Sequence, residues 1–401
     1  MKVLLLGSGG REHAMARALE RAGHELIWAP GNGAQGRWKR HKLSLGDLDS
    51  VLQLALQEQP ELTLVGPEDP LAAGLVDRLN EAGLKAWGPN ARQAQLESSK
   101  AWAKEFMARH GLATAAFRVC HNQEQAEQAI DALWTPQGVV VKADGLAAGK
   151  GVVVATTRQQ AIEAASQLGP TLVVERCLQG PEASLILLLR PDGYQAFPLV
   201  RDHKRLLAGD QGPNTGGMGA FFPIPETPSV QGMLESLWKG LVDENLNYFG
   251  ALFLGLILTE EGPQLLEFNC RLGDPESEVL LEALENDFVE VLQGQPLQMA
   301  PGFHIDVVLA SAGYPASSTS GLVIEGADQV SDEVTVLHAG TELQPDGTLT
   351  TAGGRVLHLV ARGQTLEQAR QRAGAAAQRI GFGGQPPQWR NDIGASLVAR
   401  T

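Results

Sequence analysis

The chain has 401 residues, 43% hydrophobic and 19% charged, with a formal net charge of −14. That length exceeds one ordinary core and predicts two to four domains, and the acidic balance excludes a general nucleic-acid surface, which needs a basic stripe, while leaving small anionic ligands open. No stretch approaches the roughly 18 apolar residues of a membrane helix, the opening VLLLG is too short for a secretory signal, and Cys120, Cys177 and Cys270 lie far apart without metal spacing, as thiols of a reducing cytoplasm would.

The N-terminal stretch alternates in the βαβ manner. Val3–Leu6 is predicted as a buried strand, Gly7–Gly10 as a turn, Arg11–Ala22 as a helix and Leu26–Ala29 as the next strand. Leu62–Val65 and Lys85–Trp87 repeat the strand pattern and end in Gly-Pro-Glu and Gly-Pro-Asn, so an open parallel sheet is expected, with ligands at the strand C-terminal ends. Gly7, Gly9 and Gly10 do not have the Gly-x-Gly-x-x-Gly spacing, and Trp28-Ala29-Pro30 carries no carboxylate for a ribose. A nicotinamide enzyme is therefore disfavoured, while a glycine turn before a helix N-terminus still suits a phosphate or carboxylate.

From Glu97 the character changes. ESSKAWAKEFMARHG predicts a capped amphipathic helix carrying Lys100 and Lys104. VVVKADGLAAGKGVVV at 139–154 is not a nucleotide-hydrolase phosphate loop. Only three residues separate Gly145 from Gly149-Lys150, Gly151 replaces the hydroxyl, and a β-branched run follows where a helix should. A strand–loop–strand flap is predicted. Gln159–Gln167 follows as a helix, then TLVVERCLQGPEASL as strand, hinge and strand, with Glu175 and Glu182 bracketing the hinge. Arg201–Arg205 (RDHKR) and Gly212–Gly219 (GPNTGGMG) are predicted functional loops, in which Asn214, Thr215 and Gly216–Gly217 offer donors.

In LLEFNCRLGDPE, Leu265–Phe268 is a predicted strand that puts Glu267 and Asn269 on one face, with Arg271 continuing the row. A carboxylate and an amide oxygen suit Mg²⁺, which also binds substrate phosphates; the plainer alternative is a surface ion pair of Glu267 with Arg271. Beyond Pro301 the chain is strand- and turn-rich, with a helix near Thr365–Arg379, and a small α+β cap is expected.

Eight stretches in order, GSGGREHA at 7–14, VGPEDPLAAG at 65–74, KADGLAAGKGVVV at 142–154, DHKR at 202–205, GPNTGGMGA at 212–220, EFNCRLGDPE at 267–276, HAGT at 338–341 and GGRVL at 353–357, resemble the ATP-grasp superfamily and, within it, the glycinamide ribonucleotide synthetase (phosphoribosylamine–glycine ligase) family. The resemblance implies α/β and α+β parts: an N-terminal α/β domain (1–98), an ATP-grasp domain (99–300, flap subdomain about 113–178) and a C-terminal cap (301–401). It also implies ligation of glycine to 5-phosphoribosylamine with ATP as co-substrate and Mg²⁺ or Mn²⁺ as cofactor. Lys104 and Lys142 would contact ATP, Lys150 would lie near the γ-phosphate, Glu175 to Leu178 would face adenine and Glu182 the ribose. Glu267 and Asn269 would hold the metal. Arg271, Asp274, Asn214, Thr215 and Gly216 would line the site of acyl transfer. Gly9, Gly10, Arg11, Glu68, Asp202, Lys204 and Arg355 would bind the other substrates.

Arg158–Pro170 and Gln293–Pro301 look shorter than is usual in the family, and GALFLGLIL carries no carboxylate, which leaves a second metal without an identified ligand. Another purine-pathway ligase of the superfamily, of carboxylase or formyltransferase type, is the nearest rival. The expectation is a cytoplasmic monomer acting on small molecules, with neither nucleic acid nor membrane as partner.

Overall fold

The computed structural model describes residues 1–147, 151–224 and 229–395. The N-terminal part is a five-stranded parallel sheet in the order Trp38–Arg40, Glu25–Pro30, Lys2–Gly7, Leu62–Val65, Ala86–Trp87. Lys2–Gly7 is central, and a parallel strand covered on both faces must be apolar throughout. Leu4 and Leu6 enter one core with Val51, Leu71 and Leu75; Val3 and Leu5 enter another with Met15, Leu19 and Trp28. The following helix is Gly10–Arg21, one residue earlier than its predicted start. Gly7 turns the chain into it at φ +135°, and a Cβ there would lie 2.3 Å from Glu12 Cγ, so only glycine fits.

The middle of the chain builds two antiparallel sheets. The smaller has the order Phe117–Cys120, Leu172–Arg176, Val139–Ala143, Val152–Ala155. Helices Gln123–Leu133 and Arg158–Gln167 cover it through alanines 126, 129, 161, 164 and 165. The predicted flap is the pair Val139–Ala143 and Val152–Ala155, with Lys142 opposite Val152; Lys150 lies outside the described residues. The larger sheet has the order Gly193–Ala196, Glu182–Arg190, Gly250–Thr259, Gly262–Asn269. Along Glu182–Arg190 the faces alternate. Leu185, Leu187 and Leu189 pack with Phe106 and Leu237 of helices Lys100–Arg109 and Gln231–Asp243, while Ile186 and Leu188 join the core that includes Val279 and Leu280.

A third sheet has the order Arg201–Asp202, Gly219–Phe222, Phe303–Ala310, Arg355–Gly363, Val334–His338, covered by helix Leu366–Ala377. Its strand Arg201–Asp202 comes from a stretch expected as a loop and Gly219–Phe222 starts at the last residue of another, and Arg205–Leu207 pairs with Gln211–Asn214 as a further hairpin. The C-terminal sheet therefore runs into the central part instead of only packing against it. Gly219 permits this: a Cβ would sit 2.4 Å from the Asp306 carbonyl oxygen of the neighbouring strand. Helix Glu276–Ala283 sits where the parts meet, against Gly10–Arg21 and against Gly219–Phe222, Phe303–Ala310 and Arg355–Gly363. Among the described residues no helix is long and apolar enough to cross a membrane.

Candidate active site

Ser99 caps helix Lys100–Arg109 by accepting from Trp102 N–H, and this fixes the face on which Lys104 projects. Lys104 Nζ lies 3.1 Å from Glu175 Oε2, and Lys142 Nζ, from the flap, lies 3.0 Å from Glu175 Oε1. One hinge-strand carboxylate thus orders both lysines. Lys104 also donates to Thr114 Oγ1 (2.6 Å) and Lys142 to the Leu266 carbonyl (3.2 Å). Burial draws the Lys104 ammonium down to about 8 despite Glu175. Leu178 lies beyond the strand end in the partly buried hinge before Glu182–Arg190.

Glu182 pairs with Lys204 at 2.9 Å, and Lys204 reaches Asp202 at 3.9 Å. Behind them Ser184 Oγ donates to Asp202 Oδ1 (3.2 Å) and Glu276 Oε1 (2.9 Å). Burial and then Asp202 push the Glu276 carboxyl up to about 7.

Glu267 and Asn269 lie two residues apart at the end of Gly262–Asn269. Gly255, opposite Glu267, leaves room for it, since a Cβ there would be 3.2 Å from Glu267 Cγ. Burial raises the Glu267 carboxyl, but Lys204, Lys142, Lys100 and Arg271 outweigh it and hold the group below its ordinary value. An ionised, partly buried carboxylate ringed by cations, next to an amide oxygen, fits a hard divalent ion that also carries phosphate.

Arg271 does not continue this row. The strand ends at Asn269, and the guanidinium turns to Glu68 (3.1 Å) and Glu97 (3.5 Å). The surface ion pair with Glu267 is thereby replaced by a partly buried tie to the short helices Glu68–Ala72 and Gln95–Ser98. Glu97, which accepts from Cys270 N–H at 2.7 Å, is pushed by burial up to about 7.

The glycine turn expected to receive a substrate anion already holds one. Gly9 N–H donates to Glu12 Oε2 (2.6 Å), and Arg11 Nε donates to Glu12 Oε1 (2.5 Å). Arg11 and Arg271 then converge on the Leu272 carbonyl, at 3.1 and 3.3 Å. Gly10 is backed by Glu278 and His358. Arg355 ties the C-terminal sheet to the centre: its Nη1 donates to the carbonyls of Gly216 (2.6 Å) and Asp274 (3.0 Å) and lies 3.0 Å from Asp274 Oδ1. Thr215 Oγ1 donates to the Lys204 carbonyl (2.8 Å) and accepts from Gly217 N–H (3.0 Å), and Gly216 N–H donates to Tyr314 Oη (2.9 Å). Asn214 is exposed at the end of its hairpin strand.

Three descriptions match this chain: the N domain of phosphoribosylglycinamide synthetase over residues 1–97, its ATP-grasp (A) domain over 98–277 and its C domain over 304–396. The chain belongs to the phosphoribosylglycinamide synthetase family. It is 40% identical to a phosphoribosylamine–glycine ligase of Xanthomonas axonopodis pv. citri, covering 100% of this chain and 99% of that one. It is 42% identical to the ligase of Phenylobacterium zucineum, with both chains fully covered. The crystal structure of phosphoribosylamine–glycine ligase from Thermotoga maritima superposes with a TM-score of 0.85 at 35% identity, over 98% of this chain and 100% of that one. An N5-carboxyaminoimidazole ribonucleotide synthetase from Thermus thermophilus, at a TM-score of 0.69 and 19% identity over 94% of this chain and 98% of that one, shares the fold alone.

Sequence reasoning about this synthetase-family chain did not assign Glu97, Tyr314, Glu276 or His358 to the site. Glu97 stands in the quoted ESSK stretch as part of a helix cap and Glu276 closes the quoted EFNCRLGDPE stretch, so a signal for each existed; Tyr314 and His358 reach the site only through distant pairing.

Proposed function

We propose that the chain ligates glycine to 5-phosphoribosylamine, giving glycinamide ribonucleotide, ADP and phosphate. The observation that carries this reading is the match to all three synthetase domains, together with Glu175 holding both Lys104 and Lys142 while Lys142 stands among the cations around Glu267.

Lys104, Lys142 and Lys150 bind the nucleotide; Glu175 to Leu178 face adenine and Glu182 the ribose. Glycine's carboxylate attacks the γ-phosphorus, and the ribosylamine nitrogen displaces phosphate from the glycyl phosphate. Arg271, Asp274, Asn214, Thr215 and Gly216 surround the acyl transfer, where Arg271 counters charge on the transferring group. Closure of the flap keeps out water that would hydrolyse the acyl phosphate. Mg²⁺ (or Mn²⁺), held by Glu267 and Asn269, supplies charge neutralisation of the phosphates when bound. Gly9, Gly10, Arg11 and Glu68 form the N-terminal wall for the ribosylamine. Asp202, Lys204 and Arg355 complete the enclosure. The enzyme acts as a cytoplasmic monomer, with divisions near residues 98 and 300.

Mass-spectrometric detection of glycinamide ribonucleotide tests the reading. Product should form only with ATP, glycine and freshly made phosphoribosylamine together. Turnover with bicarbonate or formate in place of glycine would favour the rival ligase class.

A further inference from the structure

Helix Glu276–Ala283 meets strands Phe303–Ala310 and Arg355–Gly363 around a group that the ligation does not use in full. His358 stands at its centre, wholly buried. Its Nδ1 lies 2.7 Å from Asp306 Oδ2. Its Nε2 faces the other way, 3.8 Å from Asp274 Oδ1 and 3.9 Å from Glu278 Oε1. One ligand atom from each of Asp274, Glu278 and His358 lies within 4.8 Å of the others. His358 Nε2, both Glu278 oxygens, Asp306 Oδ1 and Asp274 Oδ1 are buried without a hydrogen-bond partner, although Arg355 stands beside Asp274 Oδ1 as an ion pair. Buried unmet polar atoms in native proteins mark an unplaced water, proton or ion.

A proton between Glu278 and Asp274 answers only that pair. Burial, with Asp274 and Asp306 nearby, does push Glu278 well above the ordinary carboxyl range. It leaves His358 Nε2 unmet, because gaps of 3.8 and 3.9 Å are too wide for N–H···O. The same gaps suit a bent nitrogen–metal–oxygen bridge with bonds of about 2.0–2.2 Å. An imidazole oriented through its other nitrogen by a carboxylate is the usual arrangement of a metal-ligating histidine. Charge agrees. Four carboxylates, Asp274, Glu278, Asp306 and Glu12, stand here against two guanidiniums, Arg355 beside Asp274 and Arg11 beside Glu12. One divalent ion would cancel the remaining excess.

We propose that Asp274, Glu278 and His358 form a buried divalent-metal site separate from Glu267 and Asn269, with Asp306 orienting His358. Imidazole ligation selects an ion of the Zn²⁺ class over Mg²⁺. The ion fastens helix Glu276–Ala283 to the C-terminal sheet, and Gly10 closes the site, since a Cβ there would be 2.6 Å from Glu278 Oε1.

The test is equilibrium dialysis of the full, chelator-treated chain against Zn²⁺ in excess Mg²⁺, with metal counted by atomic emission and folding followed by thermal melting. Wild type and Glu267→Gln should each retain one Zn²⁺ per chain and melt higher with it. His358→Gln and Glu278→Gln should each lose that equivalent. Glu278→Gln keeps the volume and cannot supply an anionic ligand, so it carries the test should His358→Gln not fold. Absence of Zn²⁺ from wild type, or its retention by folded Glu278→Gln, overturns the site and assigns the cluster to shared protons and water.

Discussion

Arg271 Nε lies 3.1 Å from Glu68 Oε2, so a guanidinium two residues beyond the Glu267–Asn269 strand end is held by the short N-terminal helix Glu68–Ala72. The N-terminal domain thereby aims the cation that the proposal places at the transferring phosphoryl group.

Arg271→Lys keeps the charge and loses the planar fork that spans Glu68 and Glu97. It should lower kcat by roughly 10²–10³, the scale of one preorganised donor at a developing charge, with no recovery at high Mg²⁺. Glu267→Gln should instead weaken the Mg²⁺ dependence and recover partly as Mg²⁺ is raised. A steady-state ADP assay across Mg²⁺ concentrations separates the two; rescue of Arg271→Lys by magnesium would contradict these roles.

Arg355→Met removes the ties to Gly216 and Asp274 and leaves Asp274 with its charge largely unanswered. Breaking such a pair from one side costs about 3 kcal/mol, so urea unfolding should shift to lower concentration by a matching amount. Asp274→Asn in the same background should recover part of the loss. An unchanged midpoint for Arg355→Met would show the tie to be dispensable.

His13 and His338 predict a pH dependence. His338 N–H donates to His13 Nδ1 at 2.7 Å. Burial draws His338 down to about 4, and burial with His338, Arg17, Arg40 and His358 nearby holds His13 well below the ordinary 6.5. Both are neutral when folded, so the unfolded chain binds more protons between pH 4 and 6.5 and stability is lost on acidification through that window. Glu97 and Glu276, raised to about 7, act in the opposite sense. The readout is therefore a difference: the Tm of His338→Gln should fall less than that of wild type between pH 6.5 and 4. Parallel Tm curves would contradict the account.

Much of the fold is legible locally. Val3–Leu6 is an apolar run and Leu62–Val65 is apolar but for Thr63, both ending at glycine, which is what a two-sided parallel strand requires, and the Val-rich runs around Lys142 mark the flap. Arg201–Asp202 and Gly219–Phe222 are strands only because they extend the sheet begun by Phe303–Ala310, a pairing that their own residues do not encode. The site divides in the same way. Glu267 and Asn269 follow from strand alternation, whereas Arg271 turns to a carboxylate far away in the sequence once the strand ends. Glu12 occupies the glycine turn, and no spacing rule distinguishes that from a turn awaiting a substrate. His358 reads as one residue of an ordinary strand until Asp274, Glu278 and Asp306 surround it.

The most direct test of the proposed ligation follows oxygen. With glycine labelled by ¹⁸O in its carboxylate, attack on the γ-phosphorus and displacement by the ribosylamine nitrogen carry one labelled oxygen into the released phosphate and leave the other in the amide. Mass spectrometry of the phosphate should find one ¹⁸O per turnover, dependent on phosphoribosylamine. Release of unlabelled phosphate alongside formed product would contradict a glycyl phosphate and with it the proposed route.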